Sequence, residues 1–429
     1  MNGGAAGAVE AAVRSARSSA TSRATRAEVG LTTDWINAIT VAQLEHDPGP
    51  VLERLRREAP VAFIPAFDMW FVTRWDDVVF VDSHPELFTA ATEPSFLARA
   101  LGPNMLTTDP PELTRLRSIM MPPFQPGGES GRFVADQLAG LADRLLDLID
   151  PSRPFDVMEQ YAQPLSAGSL AVVLGLDHHG FDTMWRWCQG VCADIANFGN
   201  DPTLTATGQQ AKAELAAAIG ARIDAAVAAG ADAAAGDADS SAIGWFVQHG
   251  ATAEEIVNNV RLMISGGINE PRDGIGLVTW VLLTRPDLRA IVEVEPSKLR
   301  RLIEEVFRVH SPVGTITRQA TRDVELGSVT IPAGALVAGV LRSINLDESH
   351  WDAPTEIRLD RREGTHAAFA IGPHRCLGEW LGRQEVRVGV ERLLARFPHL
   401  AIDPAHHPAG EVTLSGFEFR GPQALWVRA

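Results

Sequence analysis

One short run near the C-terminus, Phe369-Ala370-Ile371-Gly372-Pro373-His374-Arg375-Cys376-Leu377-Gly378, constrains this chain more than any other stretch. A cysteine with no partner close in sequence is ordinarily a small buried hydrophobe. Here Gly372 and Gly378 flank Cys376 and permit a tight backbone loop that can press against a flat ligand. The helical pattern that follows places the sulfur at a helix N-terminus, where the macrodipole favours a thiolate. His374 and Arg375 add polar donors suited to carboxylates near a metal. A zinc site built from His366, His374 and Cys376 lacks a fourth ligand at the usual spacing.

The pattern around this loop is mostly helical, with long periodic stretches at 131–149, 155–175, 202–229, 252–284, 299–310 and 376–396. Two β-rich runs, Val61 to Ile64 and Met69 to Thr73, read as a hairpin. Later alternating segments, Thr315 to Leu326, Ala335 to Leu341, Glu411 to Phe419 and Ala424 to Arg428, predict further strands between Pro- and Gly-bearing turns. The expected class is mainly α with small β-sheets. Residues 1–40, rich in Ala, Ser, Arg and Gly at their start, read as a disordered N-terminal tail, and 41–429 as a single catalytic domain.

Composition then removes whole classes of partner. A formal net charge of -16 repels phosphate backbones, so nucleic acid has no electrostatic support as a ligand. No apolar run reaches the roughly 18 residues that a membrane-spanning helix needs. The three cysteines, Cys188, Cys192 and Cys376, imply no disulfide framework, and a reducing cytoplasm fits them. Trp185, Trp187, Cys188 and Cys192 recur at helical spacing and read as core, with no metal assigned.

The run Phe369-x-x-Gly372-x-His374-x-Cys376-x-Gly378 resembles the haem-binding loop of the cytochrome P450 family, with Ala370 where bacterial members usually carry glycine. Glu305-Val306-Phe307-Arg308 resembles the family's Glu-x-x-Arg pair, which is locked to an arginine placed here at Arg361. In Asp109-Pro110-Pro111-Glu112-Leu113-Thr114-Arg115-Leu116-Arg117, Arg117 matches a propionate-binding arginine and Leu113 replaces a histidine. Arg318 matches a second such arginine. The resemblance runs from about residue 40 to the C-terminus. It implies the cytochrome P450 fold and haem b, with Cys376 as the axial ligand of iron. Arg117, Arg318, His374, Phe369, Gly378, Gly266 and Gly267 are the implied haem-contacting positions.

Thr252-Ala253-Glu254-Glu255 is a capping box opening a long helix. Gly266 and Gly267 let a flat cofactor and oxygen approach its backbone, and Pro271 withholds a donor from Gly267, which predicts an interruption or kink. Most family members follow the glycine with an acid and a threonine that relay protons; this chain has Asn269 and Glu270. Glu270 is therefore the expected proton handler, with Asn269 beside it, and burial would raise its pKa into a useful range.

The segment Gly266 to Asp273 is also similar to that of bacterial guaiacol and syringol O-demethylating members. That likeness implies a methoxyphenol substrate releasing formaldehyde, with Phe96, Leu262, Val313, Thr317 and Phe417 as pocket positions. The implied partners are a separate ferredoxin or flavin reductase and dioxygen or hydrogen peroxide, with no nucleic acid and no membrane. Two rival readings stand beside this monooxygenase: a peroxide-driven peroxygenase on the same substrates, and a non-catalytic haem-binding sensor.

Overall fold

The structure, a computed structural model, describes residues 34–232, 239–408 and 410–429. The expected tail therefore lies outside the described residues up to position 33. Beyond it, Asp34–Asn37 is helical, and Ile36 and Ile39 are buried. Residues 34–40 thus belong to the folded body, and the expected boundary at 40 falls too late.

The body is mainly helical, with small sheets at its edge. At its centre runs the long helix Ala253–Thr284, packed against Gln163–Leu174, Phe181–Ile195 and Glu379–Arg396. Thr252 caps it as its sequence requires: the threonine oxygen accepts from Glu255 N at 3.2 Å and Glu255 Oε2 accepts from Thr252 N at 2.8 Å. The expected interruption at Gly266-Gly267 and Pro271 is absent, because the helix is continuous through all three. A hydroxyl from the neighbouring helix compensates for the missing proline N–H: Ser166 donates to Ile268 O at 2.7 Å and reaches Gly267 O at 3.4 Å. Gly267 makes room for this packing, since a Cβ there would sit 3.0 Å from Leu170 Cδ2.

Tertiary contacts also redraw two helical stretches. The stretch 131–149 divides into Glu129–Asp136 and Leu138–Asp147 at Gln137, whose backbone leaves the helix at φ -130 and ψ -34. The stretch expected from 155 begins instead as a strand, Phe155–Asp156, paired to Trp426–Arg428. Asp156 holds that junction by accepting from Met158 N at 3.0 Å and Leu425 N at 2.8 Å.

The hairpin Val61–Ile64 and Met69–Val72 forms in the register Val61 to Val72 and Ile64 to Met69. It joins Leu336–Val340 in parallel, then Thr315–Ala320 and Phe88–Thr89, in a five-stranded sheet. The expected strand Thr315 to Leu326 ends early, its tail forming a separate hairpin, Val324–Leu326 with Val329–Ile331, around Gly327. Of Glu411 to Phe419, only Leu414–Ser415 is a named strand.

The helix Leu299–His310 carries the expected ion network. Arg308 donates to Glu305 Oε1 at 2.9 Å and Oε2 at 3.0 Å, and Arg361 donates to the same Oε2 at 2.8 Å. All three residues are buried. One helix away, Glu385 is 1% exposed and neither of its oxygens accepts a full hydrogen bond. Burial outweighs the Ser166 hydroxyl beside it and pushes this carboxyl well above its ordinary 4.5.

Two outcomes follow from these buried charges. Glu305→Ala leaves two arginines buried without their carboxylate and is expected to cost about 3–5 kcal/mol, read from the denaturant midpoint. For Glu385 the sign runs the other way: a carboxyl whose pKa is raised by folding opposes folding only once pH passes its unfolded value. Glu385→Gln is therefore expected to leave the midpoint unchanged below about pH 4 and to raise it at about pH 8.

Candidate active site

The cysteine loop hangs below the long helix and is tied by its own backbone. Cys376 N donates to Phe369 O at 2.9 Å, Arg375 N to Gly372 O at 3.0 Å, and Ala370 N to Ala367 O at 2.9 Å. Gly372 N donates to Asp82 Oδ2 at 2.6 Å, an approach that any Cβ would block because it would lie 2.5 Å from that oxygen. Ala370, the departure from the glycine pattern, sits at φ 57, where an L side chain costs roughly 1–2 kcal/mol.

Between this loop and the long helix lies a cavity of about 310 Å³. Phe369, His374, Cys376, Leu377 and Gly378 line one side, and Ser265, Gly266, Gly267, Glu270 and Pro271 line the other. Cys376 is the one cysteine of the three on its wall. Cys188 and Cys192 are buried elsewhere, 3.9 Å apart, and both face Ser265 O.

Burial pushes the Cys376 thiol up to about 11, although the Gly378 amide and Arg117 both favour the thiolate. The helix N-terminus expected to favour the thiolate is thus outweighed by desolvation. A metal cation at the sulfur would reverse that balance, since a coordinating thiol is deprotonated outright. The donors around the cavity fit the rest of a haem. Arg117 lines the wall, donates weakly to Met121 Sδ at 3.9 Å, and has no carboxylate ion partner among the described residues. Arg318 lines it too, paired to Asp82 at 2.5 Å.

His374 is buried with Nδ1 unpartnered, and burial followed by the charge of Arg318 lowers its pKa to about 4, leaving a neutral ring able to donate one N–H. At Gly378 a Cβ would meet no atom within 4 Å, and at Gly266 it would meet only the Glu270 carboxyl. Arg375 does not share this site. It turns away to Glu379, 2.9 Å from Nη2 to Oε2, with 43% of its side chain exposed. Leu113, standing where a histidine was expected by resemblance, is core at 1% exposure.

Glu270, the expected proton handler, does face the cavity. Its carboxyl lies on the cavity wall, Oε2 has no partner, and burial, reinforced by the Cys188 thiol, pushes its pKa well above 4.5. Asn269 does not join it. The side chain turns from the cavity, accepts from Gln189 at 3.3 Å and donates to Asp273 at 3.4 Å, because adjacent helical residues point about 100° apart.

Of the five pocket positions, Phe96, Leu262, Val313 and Thr317 line the cavity and Phe417 does not. Phe417 stacks on Phe71 with centroids 5.6 Å apart and packs edge-on to Phe67 at 5.3 Å. Its neighbours Glu418 and Phe419 face the cavity instead, along with Leu170, Ile195, Phe198 and Thr315. No alternation could have flagged Glu418, because Glu418 and Phe419, adjacent in the chain, both face the cavity.

Comparison with known proteins agrees with this geometry. The family model described as Cytochrome P450 matches residues 298–410, which include Glu305, Arg308, Arg361 and the cysteine loop. Cytochrome P450 107B1 of Saccharopolyspora erythraea is 30% identical over 367 residues, covering 81% of this chain and 87% of that protein. From the same organism, 6-deoxyerythronolide B hydroxylase is 28% identical over 400 residues, covering 85% and 93%. The ligand-free structure of cytochrome P450 TbtJ1 superposes with a TM-score of 0.77 at 27% identity, over 90% of this chain and 98% of that one. Identity of this extent across most of both sequences places the protein in the cytochrome P450 family, as a haem-thiolate monooxygenase carrying haem b.

Proposed function

We propose that this monooxygenase hydroxylates a compact, largely apolar molecule between Phe96, Leu262, Val313 and Thr317, with Glu270 handling the protons. The observation that carries the reading is the pairing, on the walls of one cavity, of Cys376 and a half-buried Glu270 whose Oε2 has no hydrogen-bond partner among the described residues. Cys376 is the residue to hold the iron, and Arg117, Arg318 and His374 the propionates. Bound there, the haem supplies oxygen activation, its thiolate pushing electron density toward O–O cleavage. Gly266 and Gly267 keep the helix backbone bare of side-chain carbon on that face. Glu270, whose pKa burial raises, can give a proton from its carboxyl and take one back on its carboxylate. Electrons come from a separate ferredoxin or reductase, as in bacterial members of the family.

The finer substrate proposal is a methoxyphenol of the guaiacol or syringol type. Hydroxylation of its methyl group gives a hemiacetal that releases formaldehyde. The resemblance of Gly266 to Asp273 and the aromatic wall of Phe96, Phe198 and Phe419 support it. Glu270 also favours a second reading on the same substrates, in which its carboxylate deprotonates hydrogen peroxide and no reductase is needed. The non-catalytic sensor is set aside, because the chain belongs to a family of monooxygenases.

Titrating the haem-loaded enzyme with guaiacol and syringol is expected to shift the Soret band, and turnover to yield formaldehyde. Neither shift nor formaldehyde with either compound removes the methoxyphenol assignment and leaves the family untouched. Formaldehyde from peroxide alone, at a rate rivalling the reductase-driven one, selects the peroxygenase reading. Glu270→Gln is expected to lower whichever rate dominates by about 100-fold or more, the usual scale of a general acid–base group. Unchanged rates with both oxidants remove its role.

A further inference from the structure

We propose that Glu418 selects the substrate by accepting a hydrogen bond from an O–H or N–H donor at the end remote from the oxidised carbon. This rests on the reading above that the cavity is the substrate site, and adds which polar group the site demands.

The placement of Glu418 follows from the backbone. Pro312 to Thr315 runs antiparallel to 417–420: Gly314 N donates to Glu418 O at 2.8 Å, Arg420 N donates to Pro312 O at 2.8 Å, and Val313 bridges Phe419. A Cβ at Gly314 would lie 2.1 Å from Phe417 O, so glycine is what lets the two segments close. With Phe417 committed to the aromatic core, the next side chain turns the other way, onto the cavity wall.

There the carboxyl is half satisfied. Thr315 Oγ1 donates to Oε2 at 2.6 Å, and Oε1 has no donor among the described residues. The nearby guanidiniums do not fill it. Arg342 directs Nη1 to Phe417 O at 2.6 Å and Nη2 to Ser311 O at 2.7 Å, its Nε makes no hydrogen bond among the described residues, and Arg420 donates to the carbonyls of Glu45, Gly416 and His46. The surrounding wall is apolar: Phe96, Phe198, Leu262, Val313 and Phe419. Burial pushes this carboxyl up to about 7, against the pull of Thr315 and Arg342, so it accepts at neutral pH as a partly ionised group.

An acceptor left unpaired in such surroundings costs free energy that a ligand donor removes and a ligand methyl does not. A site built this way discriminates by what it would leave unpaired more than by shape. The oxygen of a phenol or alcohol and the nitrogen of a cationic amidinium share the required chemistry.

The test is calorimetric binding of matched pairs to the haem-loaded full chain: guaiacol against its methyl ether veratrole, and para-anisamidinium against methyl para-anisate. The donor member of at least one pair is expected to bind about 10- to 100-fold tighter than the capped member. Glu418→Leu is expected to bring that ratio near one while holding the capped compounds as well as the parent enzyme, which also shows that it folds. Glu418→Gln keeps the acceptor and removes the charge, so a hydroxyl preference that survives in it identifies the neutral donor, and a lost amidinium preference identifies the cation. A parent enzyme that ignores the donor in both pairs, or a Leu variant with the parental ratio, overturns the proposal. Donor preference without formaldehyde from guaiacol removes the O-demethylation reading and leaves Glu418 in place; formaldehyde with an unchanged ratio does the reverse.

Discussion

The Glu305 carboxylate, buried between Arg308 and Arg361, is the interaction on which the geometry of the site depends. Taking three charges out of water costs several kcal/mol per ion and is offset only when the donors and acceptors are saturated. That condition is met. Every N–H of the Arg308 guanidinium finds an oxygen, on Glu305, Asn345, Pro354 or Glu356. Arg361 adds Asp352, Ala353 and Glu356. The irregular segment 352–361 is therefore fixed against the helix Leu299–His310, and the cysteine loop begins a few residues later. Segments without regular secondary structure hold one shape only when their carbonyls are spoken for, and here two arginines do that.

The cavity above the loop runs on the opposite electrostatic principle. Glu270 and Glu418 are carboxyls that form no ion pair among the described residues, and Glu418 helps raise Glu270. Desolvation raises both, Glu418 to about 7, where a carboxyl is shared between its proton-giving and proton-accepting forms near neutral pH. The cations of the cavity, Arg117 and Arg318, line its wall together with His374 and the cysteine loop.

Much of this was legible in order and spacing. Phe369, Gly372, His374, Cys376 and Gly378 lie close in the chain, so their mutual placement is a local property that motif spacing can report. Glu305 and Arg308 share a helical face for the same reason. The failures are non-local. Asn269 and Glu270 stand together at the positions of the family's relay pair, yet their helical directions differ and only Glu270 reaches the cavity. The break predicted at Pro271 does not form, and Ser166, about a hundred positions away, reaches the Gly267 carbonyl that the proline leaves without a donor. Phe417 was assigned to the pocket and Glu418 overlooked, because which of two alternating residues faces inward depends on the core formed by Phe67 and Phe71.

By itself the sequence determined the helical class, the capped long helix, the hairpin at Val61 to Val72, and Cys376 as the one cysteine set in a haem-binding motif. Each of these is encoded by residues within a few turns or one loop of each other, where local sterics and hydrogen bonding decide. Only the tertiary structure decided that Cys376 opens onto a cavity, that Glu270 Oε2 has no partner there among the described residues, and that Glu418 shares that cavity. Those are properties of burial, and burial is set by what distant segments pack against a residue, which no local spacing records.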